Sequence, residues 1–287
     1  MELLEETKRI LKAYRIRPKK RFSQNFLVRE DVIEKLISYA SIGKEDVVLD
    51  VGAGLGFLAE RLAKVAGQVI AVEIDSRLFR ILVRRLRKYK NVMILKGNIL
   101  RMKVPEFNKV VSIPPYSISS PLIFWLFERK FECAVLTFQE EFAKRLVASP
   151  GTKDYGRLTV SVYYHAESDL LDFIPKEYFW PAPEVNSMII RLRPRKPPFH
   201  VESEEGFFDF IRAVFTQKNK KLRNAVQVFF NDIGLKLPKD YAKQIIDSMP
   251  FCDRRVRELM PEELGLAFNH LIKIKSNYQS LAQNLLS

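Results

Sequence analysis

Cysteine is scarce: Cys133 and Cys252 are the only two in 287 residues, with no C-x-x-C or H-x-x-x-H spacing around them. A disulfide framework and a zinc site are therefore not indicated, and a reducing, cytoplasmic setting is expected. Long apolar runs are missing too. No stretch approaches the roughly 18 to 20 apolar residues of a membrane span, and the opening MELLEETKRILKAYRIRPKKR lacks the apolar core of a signal peptide. Nor is there an internal repeat or a low-complexity tract, which argues against solenoids and disordered tails. Acids are the minority charge. Lys plus Arg number 48 against 34 Asp plus Glu, a formal +14 with a pI near 9.7, and such an excess favours a polyanionic partner, nucleic acid first. With 47% apolar residues the chain can bury a core without staples.

The excess charge is uneven. Residues 201–287 carry 13 basic and 11 acidic side chains, so nearly all of it lies in the first 200. Residues 8–21 hold eight basic groups and no acid, with Tyr14 among them; Lys19, Lys20 and Arg21 close this run and are assigned to nucleic-acid phosphates. Residues 77–90 hold seven more. There Phe79, Leu82, Val83 and Leu86 recur at helical spacing while Arg77, Arg80, Arg84 and Lys88 recur on another face, predicting an amphipathic helix with a basic stripe. A solvated surface is the plain alternative for that stripe.

Between residues 45 and 140, short β-rich runs alternate with helical periodicity: 47–51, 68–74, 92–98, 109–113 and 133–139. This predicts βαβ units and a doubly wound, mostly parallel sheet of Rossmann-like type. RLTVSVYYHA at 157–166 and VNSMIIRLR at 185–193 read as two further strands, an antiparallel edge. After the basic, proline-rich RPRKPP at 193–198, the pattern is helical only. Two domains are expected, 1–196 with the sheet and 197–287 all-helical.

The strand VVLDV runs into Asp50-Val51-Gly52-Ala53-Gly54-Leu55-Gly56, a glycine turn leading into a helix. Such a turn lets a nucleotide-like cofactor approach the backbone at the carboxyl edge of a sheet. The NAD fingerprint wants its last glycine where Phe57 stands, whereas D-x-G-x-G-x-G is the form usual in S-adenosylmethionine (SAM) enzymes. Glu73, with Ile74 beside it, ends the next strand, where a carboxylate can accept from ribose hydroxyls. Asn98, with Ile99 beside it, follows the third strand and is placed to read the cofactor's adenine.

Five further segments carry a resemblance. The loop VSIPPYSISSP at 111–121 resembles the (N/D/S)-x-P-Y loop of methyltransferases acting on exocyclic base amines. RFSQNFLVRED at 21–31, FQEEFAKRLVASPGTKDYGRLTV at 138–160, IPKEYFWPAPEVNS at 174–187 and FIRAVFTQKNKKLRNA at 210–225 occur in the order of one family. The chain thus resembles the KsgA-type ribosomal RNA adenine dimethyltransferases over nearly its whole length. The resemblance implies SAM as cofactor and transfer of two methyl groups to N6 of each of two adjacent adenines near the 3′ end of small-subunit ribosomal RNA. It implies Asn25 and Leu27 as cofactor contacts, and Ile113, Pro114, Pro115 and Tyr116 as the reaction loop. Phe179 would be the second aromatic face around a flipped base. It also implies that the helical domain grips RNA, with Lys218, Lys220, Lys221 and Arg223 as one cluster and Lys153 and Arg157 in the SPGTKDYGR loop. The expected partners are small-subunit ribosomal RNA and the immature small subunit, bound by a monomer.

Methyl transfer from a sulfonium needs no enzyme nucleophile, so the lack of a Ser/His/Asp constellation does not exclude catalysis. Two positions depart from the family pattern. Asn98 stands where Asp is common, keeping an acceptor oxygen. Ile113 stands where Asn usually begins the reaction loop, also lining the cofactor side. Losing that carboxamide predicts slow transfer, or a stop after one methyl, because a transition-state hydrogen bond is worth roughly 2 to 4 kcal/mol. The Pro114 carbonyl remains an acceptor, and strand alternation turns Ser112 the other way. Two other readings stay open: a non-catalytic ribosome assembly factor, favoured by Ile113, and a DNA adenine methyltransferase, against which the C-terminal segments argue.

Overall fold

The computed structural model describes residues 2–19, 24–232 and 238–286, with backbone alone at 239 and 275–286. The chain divides into two compact units, 1–144 with 167–194, and 145–166 with 195–287.

In the first unit, α1 (Glu2–Ala13), β1 (Phe26–Leu27) and α2 (Glu30–Ala40) precede β2 (Val47–Val51), α3 (Phe57–Val65), β3 (Gln68–Glu73), α4 (Ser76–Leu86), β4 (Val92–Lys96), β5 (Lys109–Ser112), α5 (Ser119–Phe127) and β6 (Cys133–Gln139). Helix α6 (Glu140–Leu146) leads out of the unit, and β7 (Ala166–Ile174), β8 (Phe179–Trp180) and β9 (Ser187–Pro194) return to it. The seven-stranded sheet has the order β4-β3-β2-β5-β6-β9-β7. β2 pairs in parallel with β3 and β5, β3 with β4, and β5 with β6, while β9 runs antiparallel to β6. The expected mostly parallel sheet with an antiparallel edge is present. β2, β3 and β6 are apolar without alternation because helices cover both faces, and their residues are almost entirely buried.

Strand order reverses between β2 and β5, and at such a switch point the crevice beyond the strand ends is the natural ligand position. A second, two-stranded sheet pairs β1 with β8, setting Phe26 opposite Trp180 and Leu27 opposite Phe179. It ties the segment entering at residue 24 to the FWPAPE segment.

The second unit holds α7 (Arg157–His165), α8 (Glu204–Phe215), α9 (Leu222–Asp232), α10 (Lys239–Ser248) and α11 (Pro261–Leu286). The strand expected at 157–166 is thus a helix. Its β-branched and aromatic residues favour a strand locally, but Leu158, Thr159, Val160, Ser161, Val162 and Tyr164 are all buried among helices, and that burial overrides propensity. Gly156 starts it, its N–H donating to Thr159 Oγ1 at 3.2 Å.

The edge strand is instead β7, the charged AESDLLDFI. Its Asp169 pairs with Arg191 of neighbouring β9 at 2.9 Å, and charge is a common way to blunt a sheet edge. The cut expected at 196/197 lies close to the last crossing between units, at 194/195, but residues 145–166 belong with the helices. Tyr155, Val160 and Tyr164 share the core of Phe207, Phe210 and Phe268, and Tyr155 Oη donates to the Leu259 carbonyl at 2.8 Å. Among the described residues no helix is long and apolar enough to cross a membrane.

Candidate active site

Three adjoining hollows, all touching Gly52, form a cleft at the switch point. Asn25, Leu27, Asp50, Gly54 and Ile113 line the first. Glu73, Ile74 and the run Ile113–Tyr116 line the second, with Asn25 and Gly54 shared. Ile74, Asn98, Ile99 and Pro115 line the third. Every residue assigned from sequence to the cofactor therefore faces one cleft.

The glycine turn is held from below. Gly52 and Ala53 donate to the Val72 carbonyl at 2.8 and 3.0 Å, and Gly52 adopts φ 75°, the left-handed region. A Cβ there would lie 2.7 Å from Pro115 Cδ, so glycine is what lets the β2 and β5 loops close on each other. Glu73 pins the same turn: one carboxylate oxygen accepts from Gly54 N–H at 2.9 Å, the other from Asp75 N–H at 2.7 Å. Burial pushes its pKa up against the opposing pull of these two amides. Each oxygen keeps a further lone pair for a ligand hydroxyl.

Asp50 is 1% exposed, and its Oδ2 has no hydrogen-bond partner among the described residues. Burial first, and then the nearby Glu73 charge, push its pKa up to about 8. An orphaned buried carboxylate oxygen in a cleft awaits a cationic donor, and the α-amino group of SAM is one. The acids Asp50 and Glu73, with no cation in the lining of the first two hollows, fit a positively charged cofactor and not a pyrophosphate.

The β5 end carries the other wall. Ser112 is fully buried, donating to Val51 O at 2.7 Å and accepting from Val51 N–H at 3.0 Å, so its hydroxyl is spent on β2 and does not replace a carboxamide. Ile113 is half-buried and puts an alkyl group between the first two hollows. Tyr116 opens a 3-10 turn, and its Oη lies 2.6 Å from Ser187 Oγ at the start of β9. Burial pushes its phenol up to about 12, so the ring is neutral. Asn98 uses its carboxamide oxygen to accept from Leu100 N–H at 3.0 Å, leaving one lone pair.

Phe179 does not stand as expected. It is 2% exposed and belongs to the hydrophobic core, drawn there by its pairing with Leu27 across β1 and β8, and it lines none of the three hollows. Phe26 does line the first two, with its ring over Gly54. Sequence reasoning missed it because alternation along a strand sets it opposite Asn25 and Leu27. Gln24 was missed as well: it borders the second hollow, donates to Asp75 Oδ2 at 3.0 Å and accepts from Lys19 N–H at 2.8 Å. Asp50 was legible, as the first residue of the glycine motif.

Among the basic residues assigned to RNA, Lys20 and Arg21 lie outside the described residues, and Lys19 is fixed through its backbone to Gln24. The others sit in the second unit. Lys218 Nζ donates to the Lys153 carbonyl at 2.8 Å. Lys221 pairs with Asp253 at 3.1 Å, and Arg223 reaches both Asp247 and Asp253 at 3.2 and 3.4 Å. Arg255, bridged to Lys221, joins them. Lys220 is exposed with no acidic partner among the described residues, and Arg157 is exposed in the first turn of α7.

A reversed parallel sheet, a glycine turn at its switch point, an acid beneath that turn and a second acid after the next strand together define a SAM-dependent methyltransferase of Rossmann-like fold. Residues 15–260 match the sequence model of the family described as "Ribosomal RNA adenine dimethylase", and the chain belongs to that family. It is 43% identical over 270 residues, 93% of this chain and 92% of the relative, to the protein of Methanosarcina barkeri named "Probable ribosomal RNA small subunit methyltransferase A". A Thermococcus kodakarensis protein of the same name is 41% identical over 89% of this chain and 90% of its own length. Among solved structures, a dimethyladenosine transferase from Plasmodium falciparum superposes with a TM-score of 0.76 at 28% identity, covering 88% of this chain and 98% of its own. The 23S rRNA methyltransferase ErmE gives 0.64 at 27% identity, covering 86% and 100%.

Proposed function

We propose that the protein methylates N6 of two adjacent adenosines in a hairpin near the 3′ end of small-subunit ribosomal RNA, acting on the immature small subunit. The carrying observation is the cleft itself, in which the acid-lined cofactor wall, Asp50 and Glu73, meets the Ile113–Tyr116 loop across Gly52. The two small-subunit relatives, similar over some nine-tenths of this chain, support the choice of RNA.

Asn25, Leu27, Gly52, Gly54, Glu73, Ile74, Asn98 and Ile99 would hold SAM, which when bound supplies an electrophilic methyl group. Asp50 Oδ2 would accept from the cofactor's ammonium, an interaction that favours its ionised form. Tyr116 offers a ring face at the cleft for a base out of its stack, held in orientation by Ser187. The Pro114 carbonyl, engaged by no hydrogen bond among the described residues, accepts from the N6 amine and draws electron density toward its nitrogen. Successive prolines fix φ at 114 and 115, so this acceptor is rigidly held. Phe179 joins the base only if the β1–β8 pairing lets it leave the core. Lys153, Arg157, Lys218, Lys220, Lys221 and Arg223 serve as phosphate contacts of the helical unit.

One observation favours a second reading, a ribosome assembly factor of low activity: Ile113 has no polar atom where the family's carboxamide would engage the amine. Methyl incorporation from labelled SAM into small subunits lacking the modification, with Ile113→Asn in parallel, separates the two. Dimethyladenine from the unmodified chain supports the enzyme; methylation by Ile113→Asn alone supports the assembly factor.

A further inference from the structure

The methyltransferase unit bears a row of uncompensated cations that the cleft does not use. Helix α4 is basic on two sides, and the sides differ. Inward, Arg85 lies over the Phe57 ring at 4.3 Å and binds both Glu6 and Glu60; Lys88 also reaches Glu60, at 3.2 Å. At the N-terminus, Arg77 is clamped to Asp75 at 2.6 Å, and Asp75 caps the helix by accepting from Arg77 N–H. Glu6, Glu60 and Asp75 are thereby consumed. Outward, Arg80, Arg84 and Arg87 are exposed and have no acidic partner among the described residues.

The turn after α1 lies along this outer row. Arg84 donates to Tyr14 Oη at 3.1 Å and Arg77 to the Arg17 carbonyl at 3.4 Å, which brings exposed Arg15 and Arg17 beside the helix, again without acidic partners among the described residues. Folding does not need them there: the apolar face of α4, Leu78, Ile81, Leu82 and Leu86, is buried regardless. Uncompensated like charges held together cost stability through mutual repulsion, so their placement points to an external anion.

We propose that this face, Arg15, Arg17, Arg80, Arg84 and Arg87, is a second RNA grip that takes the phosphate backbone of the strand leading out of the cleft. The inference rests on the reading of the protein as an RNA methyltransferase. The N-terminal end of α4 reaches the cleft, where Leu78 lines the second hollow, and on the outer side of the same helix the row runs from Arg80 about 10 Å to Arg87. Guanidinium forks match phosphate oxygens. A lipid surface is disfavoured, since an interfacial helix presents apolar residues to the bilayer and those of α4 face the core, leaving only Tyr14 and Val83 about 40% exposed.

The test is the salt dependence of binding to a small-subunit ribosomal RNA transcript by the full chain and by the triple variant Arg80→Ala, Arg84→Ala, Arg87→Ala. Each lost phosphate contact removes about 0.7 to 0.9 from the slope of log affinity against log salt. The triple variant should lose about 2 to 3 of slope and on the order of 100-fold in affinity at 0.1 M salt, with SAM binding unchanged and a melting temperature no lower than that of the unmodified chain. A triple Arg→Lys variant should keep the slope. Identical slopes for the full chain and the alanine variant overturn the proposal. So does loss of binding to phosphatidylserine vesicles with the RNA slope intact, which would assign the face to membranes. If the unmodified chain binds neither the transcript nor immature small subunits, the reading as a ribosomal RNA methyltransferase fails and this surface falls with it.

Discussion

Tyr116 and Ser187, 71 positions apart, meet with their hydroxyl oxygens 2.6 Å apart. The contact joins the Ile113–Tyr116 loop after β5 to the start of β9 and holds the ring of Tyr116, which lines the cleft. Removing the ring by Tyr116→Ala should lower methyl transfer about 10- to 100-fold, the worth of a stacking face of about 1 to 3 kcal/mol. Ser187→Ala leaves the ring but frees it, and should lower kcat by a smaller factor with the KM for SAM unchanged. Tyr116→Phe, which orphans the buried serine, should cost about 1 kcal/mol of stability. Steady-state kinetics with thermal melts separates the three; a Ser187→Ala enzyme with unaltered kcat argues against the positioning role.

With Asp50 as the proposed partner of the cofactor's ammonium, both cofactor binding and stability should depend on pH. Its native pKa of about 8 lies above the unfolded value of about 3.9, so between these limits the native state holds a proton that the unfolded chain has released. Stability from this group is therefore present at low pH and is lost as pH rises through about 8. Asp50→Asn should remove this slope and melt higher than the unmodified chain near pH 8, by on the order of a few °C. The same variant should bind SAM about 10- to 100-fold more weakly, having lost a charge-assisted hydrogen bond. In the unmodified chain, SAM affinity should rise toward pH 8 with release of a proton, which calorimetry in buffers of different ionisation enthalpy would detect.

Ile113→Asn should restore the missing acceptor and raise the single-turnover rate about 10²- to 10³-fold, with little change in RNA affinity. Quantifying mono- and dimethyladenine over time measures it. No acceleration would mean that the Pro114 carbonyl and the Tyr116 face already suffice.

Gly52→Ala combines an unfavourable φ of 75°, worth about 1 to 2 kcal/mol for a residue with a Cβ, with a 2.7 Å approach to Pro115. The variant should melt several degrees lower and gain no stabilisation from added SAM, whereas the unmodified chain gains some. Thermal shift with and without the cofactor decides it.

Much of the first unit was legible because parallel strands covered on both faces leave short continuous apolar runs rich in β-branched residues, as at 47–51 and 133–139. The glycine turn was legible because only glycine tolerates its backbone. At 157–166, by contrast, alternating Thr, Val and Tyr state a strand preference that only the surrounding helices overrule, and burial on every side of α7 is invisible before those helices are placed. β7 escaped notice for the opposite reason: Glu167, Asp169 and Asp172 make it look like a loop until Arg191 and Arg193 on β9 partner the first two and Lys35 on α2 partners the third. Phe179 could be placed in the right segment by its motif, but its depth is set by a two-residue pairing with a strand 152 positions earlier.

That pairing also makes one mechanical part of two segments. Four residues, Phe26, Leu27, Phe179 and Trp180, are the entire small sheet, and its two sides carry Asn25 and Leu27 of the cleft lining and the FWPAPE segment that continues to Ser187. A lesion in either side therefore loosens both, so defects in SAM affinity and in the set of the Tyr116 ring should travel together in variants at these four positions, even though none of the four touches the Tyr116 hydroxyl.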